Sequence, residues 1–209
     1  MSEILSPTAK KPFHSVVDEI VYDEATILKR VAELACRIER DYRGRDLMVV
    51  GILKGALVFT CDLIRSMATP VSLDFISVSR YHPRRDQGRV RLLKDLQEEI
   101  TGRHVLLVED IIDTGLTAHS LLGLLTRRNP ASIEICTLLD RRDLRLVEVP
   151  IRYVGFQASG AFLIGYGLDY QDRYRNLPFI ASMDLDAARL RVSQSDELER
   201  EDLLVYQAG

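Results

Sequence analysis

The sequence has no apolar run of membrane-spanning length, and its first residues, MSEILSPTAKKPF, lack the apolar core of a secretory signal. Both absences point to a cytoplasmic location and away from a membrane partner. Cysteine is scarce. Cys36, Cys61 and Cys136 are odd in number and far apart, which argues against a disulfide framework or a zinc site and fits a reducing compartment. An excess of one charge is also missing. The 28 Lys and Arg against 31 Asp and Glu leave a net charge of −3, so no global field draws the chain to nucleic acid. Any polyanion site must be local. There is no internal repeat, low-complexity linker or Walker A pattern, and Gly165-Tyr166-Gly167 lacks the third glycine of a dinucleotide loop.

What is present suits one α/β domain: 209 residues, 46% hydrophobic and 28% charged, enough to bury a core without staples. Ile27, Val31, Leu34, Ala35 and Ile38 recur at helical spacing until Gly44. Strands are predicted over 47–53, 72–78, 105–108, 133–139, 151–156 and 162–165, and further helices over 56–67 and 117–128. Apolar strands alternating with helices imply a mainly parallel sheet covered on both faces, with ligands beyond the carboxyl ends of its strands. Residues 1–183 read as this domain. Residues 184–209 read as a charged tail or helix rather than a second domain.

The segment Val105 to Thr117 reads VLLVEDIIDTGLT. Its apolar start supplies a buried strand, so Glu109 and Asp110 are expected to emerge at the strand's carboxyl end. Asp113, Thr114, Gly115, Leu116 and Thr117 then turn into a helix, whose free amides and two hydroxyls suit a phosphate. Three carboxylates beside a phosphate repel it unless a sugar diol and a divalent metal ion lie between. Helix-terminal charges and caps would explain one or two of these acids.

The same segment resembles the signature of phosphoribosyltransferases that use phosphoribosyl pyrophosphate, and the doubled isoleucine before Asp113 resembles their hypoxanthine-guanine branch. GILKGALVF, LIGYGLDY and YRNLPFI agree in the same order, so the similarity runs from about Ile20 to Ile180. The resemblance implies a type I phosphoribosyltransferase fold with a small hood and a mobile lid. It also implies purine salvage, with transfer to hypoxanthine or guanine, and Mg2+ as cofactor. The subunits would form a homodimer or homotetramer. Asp113 would be the catalytic base or acid at purine N7. The turn Asp113 to Thr117 would bind the 5′-phosphate, with Glu109 and Asp110 at the ribose hydroxyls. Lys54, Gly55 and Arg175 would meet pyrophosphate, and the peptide before Lys54 can be cis in the family. Phe162 would stack on the base, Leu163 would offer backbone contacts, and Asp169 would face the base edge. Asp169, Glu109 and Asp110 are the implied metal ligands. Taken alone, Lys54 reads as a solvated charge, Arg175 as a surface ion-pair partner and Phe162 as a core residue.

Three stretches depart from the family pattern. Arg141 stands where a lysine usually donates to the purine 6-oxo group; its plainer role would be an outward pair with Asp143. The lid carries Ser79-Arg80-Tyr81, followed by His82, Pro83, Arg84 and Arg85, where the family has Ser-Ser-Tyr. Ala158 to Ala161 replaces the usual Ile-Pro-Asp run. Two rivals remain open: a regulator of this fold that binds RNA or a nucleotide without turnover, and an enzyme specific for xanthine or a pyrimidine.

Overall fold

The structure is a computed structural model that describes residues 17–79 and 90–184. The expected lid residues Arg80 and Tyr81 and most of the charged tail lie outside the described residues. In chain order the elements are β1 (Val17–Tyr22), α1 (Glu24–Asp41), β2 (Leu47–Leu53), α2 (Leu57–Arg65), β3 (Ser72–Val78) and β4 (Leu92–Lys94). They continue with β5 (His104–Ile112), α3 (Leu116–Thr126), β6 (Ser132–Asp140), a 3-10 turn (Arg142–Leu144), β7 (Ile151–Gln157), β8 (Phe162–Ile164) and β9 (Ile180–Met183).

The main sheet has the order β4-β3-β2-β5-β6-β7, parallel except where β4 returns antiparallel to β3. Alternate residues of its central strands face opposite ways. Val49, Leu106 and Val108 join the apolar layer with Phe59 and Leu63 of α2 and the buried face of α1. Met48, Val50, Val105 and Leu107 join the layer with Ala118, Leu121 and Leu125 of α3. Each fully buried large side chain of this kind contributes about 1.5–3 kcal/mol. The helix α1 starts where Asp23 accepts a hydrogen bond from the Thr26 amide at 2.8 Å. It turns its Ile27, Val31, Leu34, Ala35 and Ile38 face to the sheet.

From β2 the chain moves out to β3 and β4 on one side, then returns through β5, β6 and β7 on the other. The order therefore reverses between β2 and β5, and the crevice at their carboxyl ends is where such folds bind ligands. Above it sits a small antiparallel sheet of order β1-β9-β8. Its register joins Val17 to Met183 and Leu163 to Ser182, so the two ends of the domain close the hood together.

One expectation needs correction. The strand thought to stop at Val108 runs on to Ile112, because the ladder to β6 continues through Glu109↔Thr137, Ile111↔Leu139 and Ile112↔Asp140. Glu109 and Asp110 therefore belong to the strand rather than to the loop after it.

Candidate active site

The cleft over the β2/β5 crevice measures about 390 Å³. Five pieces of chain build it: Ile52 to Gly55 at the end of β2, Val78 and Ser79 at the end of β3, Glu109 to Thr117 around the end of β5, Arg141 after β6, and the wall from Phe162 to Arg175. A second hollow of about 230 Å³ adjoins it, lined by Asp113, Thr114, Gly115 and Thr117 at the start of α3. The turn into that helix requires Gly115, which has φ +81° and whose missing side chain would press on the Val147 carbonyl at 2.6 Å.

The carboxylates are strained by burial. Burial and the neighbouring Asp110 push Glu109 well above the usual carboxylate range. Burial raises Asp110 to about 6, against backbone hydrogen bonds and the Arg175 charge, which pull it down. Asp110 packs so closely on Gly55 that any Cβ there would overlap its carboxylate. Burial also raises Asp113, with Asp143 adding to it and Arg141 and Arg145 opposing. Five buried side-chain polar atoms among the described residues lack a hydrogen-bond partner, and three line this cleft: Glu109 Oε2, Asp113 Oδ1 and Arg141 Nε.

Arg141 does not turn outward. It is 8% exposed, donates through Nη2 to the Gly160 carbonyl at 2.8 Å, and sets Nε 3.6 Å from Asp113 Oδ1. That last distance is too long for a hydrogen bond, so both atoms keep their bonding capacity. Two of the departures from the family pattern thus touch each other, since the longer arginine is anchored by the Ala158 to Ala161 stretch. Phe162 is not a core residue. The residue is 38% exposed on the cleft wall, and its ring meets Tyr170 edge to face at 5.8 Å between centroids. Leu163 is buried beside it and pairs with Ser182.

At the end of β2 the Leu53–Lys54 peptide is cis. Lys54 Nζ donates to Asp172 Oδ1 at 3.1 Å, and Arg175 Nη2 donates to the same oxygen at 2.9 Å. Arg175 also meets Asp169 at 2.8 Å and the Gly167 carbonyl at 2.7 Å. Among the described residues no three His, Cys, Asp or Glu side chains group to hold a metal ion. Asp169 is engaged by Arg175 and by the Asp172 amide, and Asp110 is packed on Gly55.

Three functional-looking residues escaped sequence reasoning. Asp172 bridges Lys54 and Arg175. Asp140 and Arg145 form a buried pair behind the Asp113 turn. The signal available was slight: an acid as the last residue of an apolar strand, directly opposite Ile112 in the ladder.

Comparisons with known proteins agree with this geometry. Residues 18–171 match the phosphoribosyl transferase domain family. A hypoxanthine-guanine phosphoribosyltransferase of Dictyostelium discoideum is 43% identical over 170 residues, covering 79% of this chain and 94% of that protein. A hypoxanthine phosphoribosyltransferase of Haemophilus influenzae is 41% identical over 172 residues, covering 80% and 96%. The crystal structure of a hypoxanthine phosphoribosyltransferase from Staphylococcus aureus superposes with a TM-score of 0.81 at 39% identity, covering 85% of this chain and 97% of that one. A switch-point cleft with buried acids, a glycine turn opening a helix and this likeness lead to one conclusion: the chain belongs to the phosphoribosyl transferase domain family, in its hypoxanthine-guanine branch.

Proposed function

We propose that the chain is a purine-salvage enzyme, transferring 5-phosphoribosyl from phosphoribosyl pyrophosphate to hypoxanthine or guanine. The products are the purine 5′-monophosphate and pyrophosphate. The observation that carries this reading is the cluster of three buried polar atoms without a hydrogen-bond partner, Glu109 Oε2, Asp113 Oδ1 and Arg141 Nε, in one cleft, the last two facing each other at 3.6 Å. Buried polar atoms are rarely left unpaired, so their concentration marks where a polar ligand completes the bonding. A base with acceptor and donor on neighbouring atoms, carried by a sugar diol, fits that set.

In the reaction purine N9 forms a bond to the anomeric carbon while the bond from that carbon to pyrophosphate breaks. Asp113 takes the N7 proton, a role suited to a carboxylate raised by burial. Arg141 donates to the 6-oxo group and resists a 6-amino group, whose hydrogens would face its own. Phe162 stacks on the base. Amides at the start of α3 hold the 5′-phosphate, while Lys54 and Arg175 neutralise the leaving pyrophosphate once they release Asp172. No covalent enzyme intermediate is needed, and positioning and electrostatics supply the acceleration.

The donor set is hard oxygen, which suits Mg2+. That ion keeps several waters and commonly takes only one or two protein carboxylates plus phosphate oxygens, so the lack of a three-acid cage is compatible with it. Asp169, with Glu109 and Asp110 beside the diol, would hold it, and it would supply charge neutralisation at the diphosphate. Arg80 and Tyr81 belong to the proposed lid. A cytoplasmic homodimer or homotetramer, with residues 1–183 as the domain and 184–209 as a tail, completes the proposal. Among the described residues no helix is long and apolar enough to cross a membrane.

Nucleotide formation from phosphoribosyl pyrophosphate tests the reading, with hypoxanthine, guanine, xanthine and adenine offered separately, with and without chelator. Turnover of hypoxanthine or guanine, stopped by chelator and absent with adenine, is expected. Folded protein that binds the donor yet turns over no base would overturn it.

A further inference from the structure

We propose that Arg145, held by Asp140, is a positioning residue that aims the phosphate-binding amides of the Asp113 turn. The inference rests on the reading of that turn as the 5′-phosphate site. Arg145 Nε donates to the Asp113 carbonyl at 2.9 Å, and Nη2 donates to the Ile112 carbonyl at 3.1 Å and to Asp140. The following backbone continues the strap. The Leu146 and Val147 amides both donate to the Thr114 carbonyl, at 3.0 and 3.2 Å, and the Arg141 amide donates to the Ile112 carbonyl at 3.0 Å. Three consecutive carbonyls, those of Ile112, Asp113 and Thr114, are thus tied to one segment.

A trans peptide is planar, and its C=O and N–H point in opposite directions. Pinning those carbonyls toward the strap therefore aims the amides of Asp113, Thr114 and Gly115 the other way. That direction is away from the strap, and the 230 Å³ hollow is lined by the same three residues and by Thr117. Arg145 sets the aim without touching a ligand, as it does not line that hollow or the main cleft.

The pair is built to hold still. The Arg145 side chain is 9% exposed and that of Asp140 is 1% exposed. The second Asp140 oxygen accepts from Arg142 Nε at 3.1 Å and Gln157 Nε2 at 3.2 Å, so the carboxylate cannot swing away without losing three donors. Only Arg145 can do this double work: a planar fork satisfies two carbonyls and one carboxylate at once, and a lysine has no such fixed geometry.

The test compares the wild type with Arg145→Met, Arg145→Lys and the double variant Asp140→Leu/Arg145→Met, each checked for native circular dichroism. Calorimetry then measures the affinity of each for inosine 5′-monophosphate and, separately, for pyrophosphate, which belongs to the Lys54–Arg175 wall. The proposal expects a loss of roughly tenfold or more for the nucleotide in Arg145→Met and the double variant, since charge-assisted hydrogen bonds that place the site are gone. It expects pyrophosphate affinity to hold within about twofold and Arg145→Lys to recover part of the loss. The double variant removes both buried charges together, so it keeps the test open if Arg145→Met alone does not fold. Unchanged nucleotide affinity in the folded variants, or equal losses for nucleotide and pyrophosphate, would overturn the positioning role. A wild type that binds neither ligand would instead overturn the functional reading beneath it.

Discussion

The two charged ends of the cleft are held in opposite ways. Behind the Asp113 turn, Arg145 and Asp140 are sealed from water, with side-chain exposures of 9% and 1%. Beside Arg175, Lys54 and Asp172 pair with exposures of 68% and 65%. A buried pair holds geometry, because separating it strands a charge in a low-dielectric interior. An exposed pair is weak and exchangeable. In the proposed function, the end that holds the 5′-phosphate is therefore clamped, and the end that accepts and releases pyrophosphate is only loosely latched.

Removing one partner from each pair should separate the two designs. Asp140→Leu strands Arg145 and should cost about 3–5 kcal/mol, lowering the melting temperature by roughly 10 °C for a chain of this size. A melting point within a degree or two of wild type would break the comparison at its strong end. Arg175→Met removes the charge-assisted bonds proposed for the leaving group, worth about 1.5–3 kcal/mol. It should weaken pyrophosphate binding about tenfold to a hundredfold while leaving nucleotide binding nearly intact. Asp172→Asn should have the smallest effect, with no measurable change in melting temperature. It should modestly tighten pyrophosphate binding at neutral pH, since the carboxylate that occupies Lys54 and Arg175 has lost its charge. Weaker pyrophosphate binding in this variant would show that Asp172 orients the cations rather than competing for them.

Much of this fold could be read from local pattern. β2 ends where its apolar run ends, because a strand buried on both faces is uniformly apolar. β5 is longer than its first apolar run for a different reason: its ladder continues past Val108, through two acids, to Ile111 and Ile112. β1 and β9 were missed, since neither carries a pattern that names a partner over 160 positions away. β4 has only three residues to show. Site residues followed the same rule. Asp113, Arg141 and Phe162 sit in contiguous motifs that could be matched. Asp140, Arg145 and Asp172 act through partners brought together by the fold, and Arg145 between Leu144 and Leu146 looks like any surface arginine. Burial corrected the plainer expectation for Arg141, since an arginine 8% exposed and anchored on Gly160 is no solvated partner of Asp143.

The most direct measurement is the pH dependence of kcat/KM for the base in wild type and Asp113→Asn. Burial raises the Asp113 carboxyl, so its proton-accepting form is lost sooner as pH falls. The wild-type profile should drop through an acid limb that lies above the ordinary aspartate range. Asp113→Asn should lose that limb and lower the rate by roughly 10²- to 10⁴-fold, the usual span for a lost general base. A variant that keeps the wild-type rate and the same limb would contradict the assignment of proton transfer to this clamped turn.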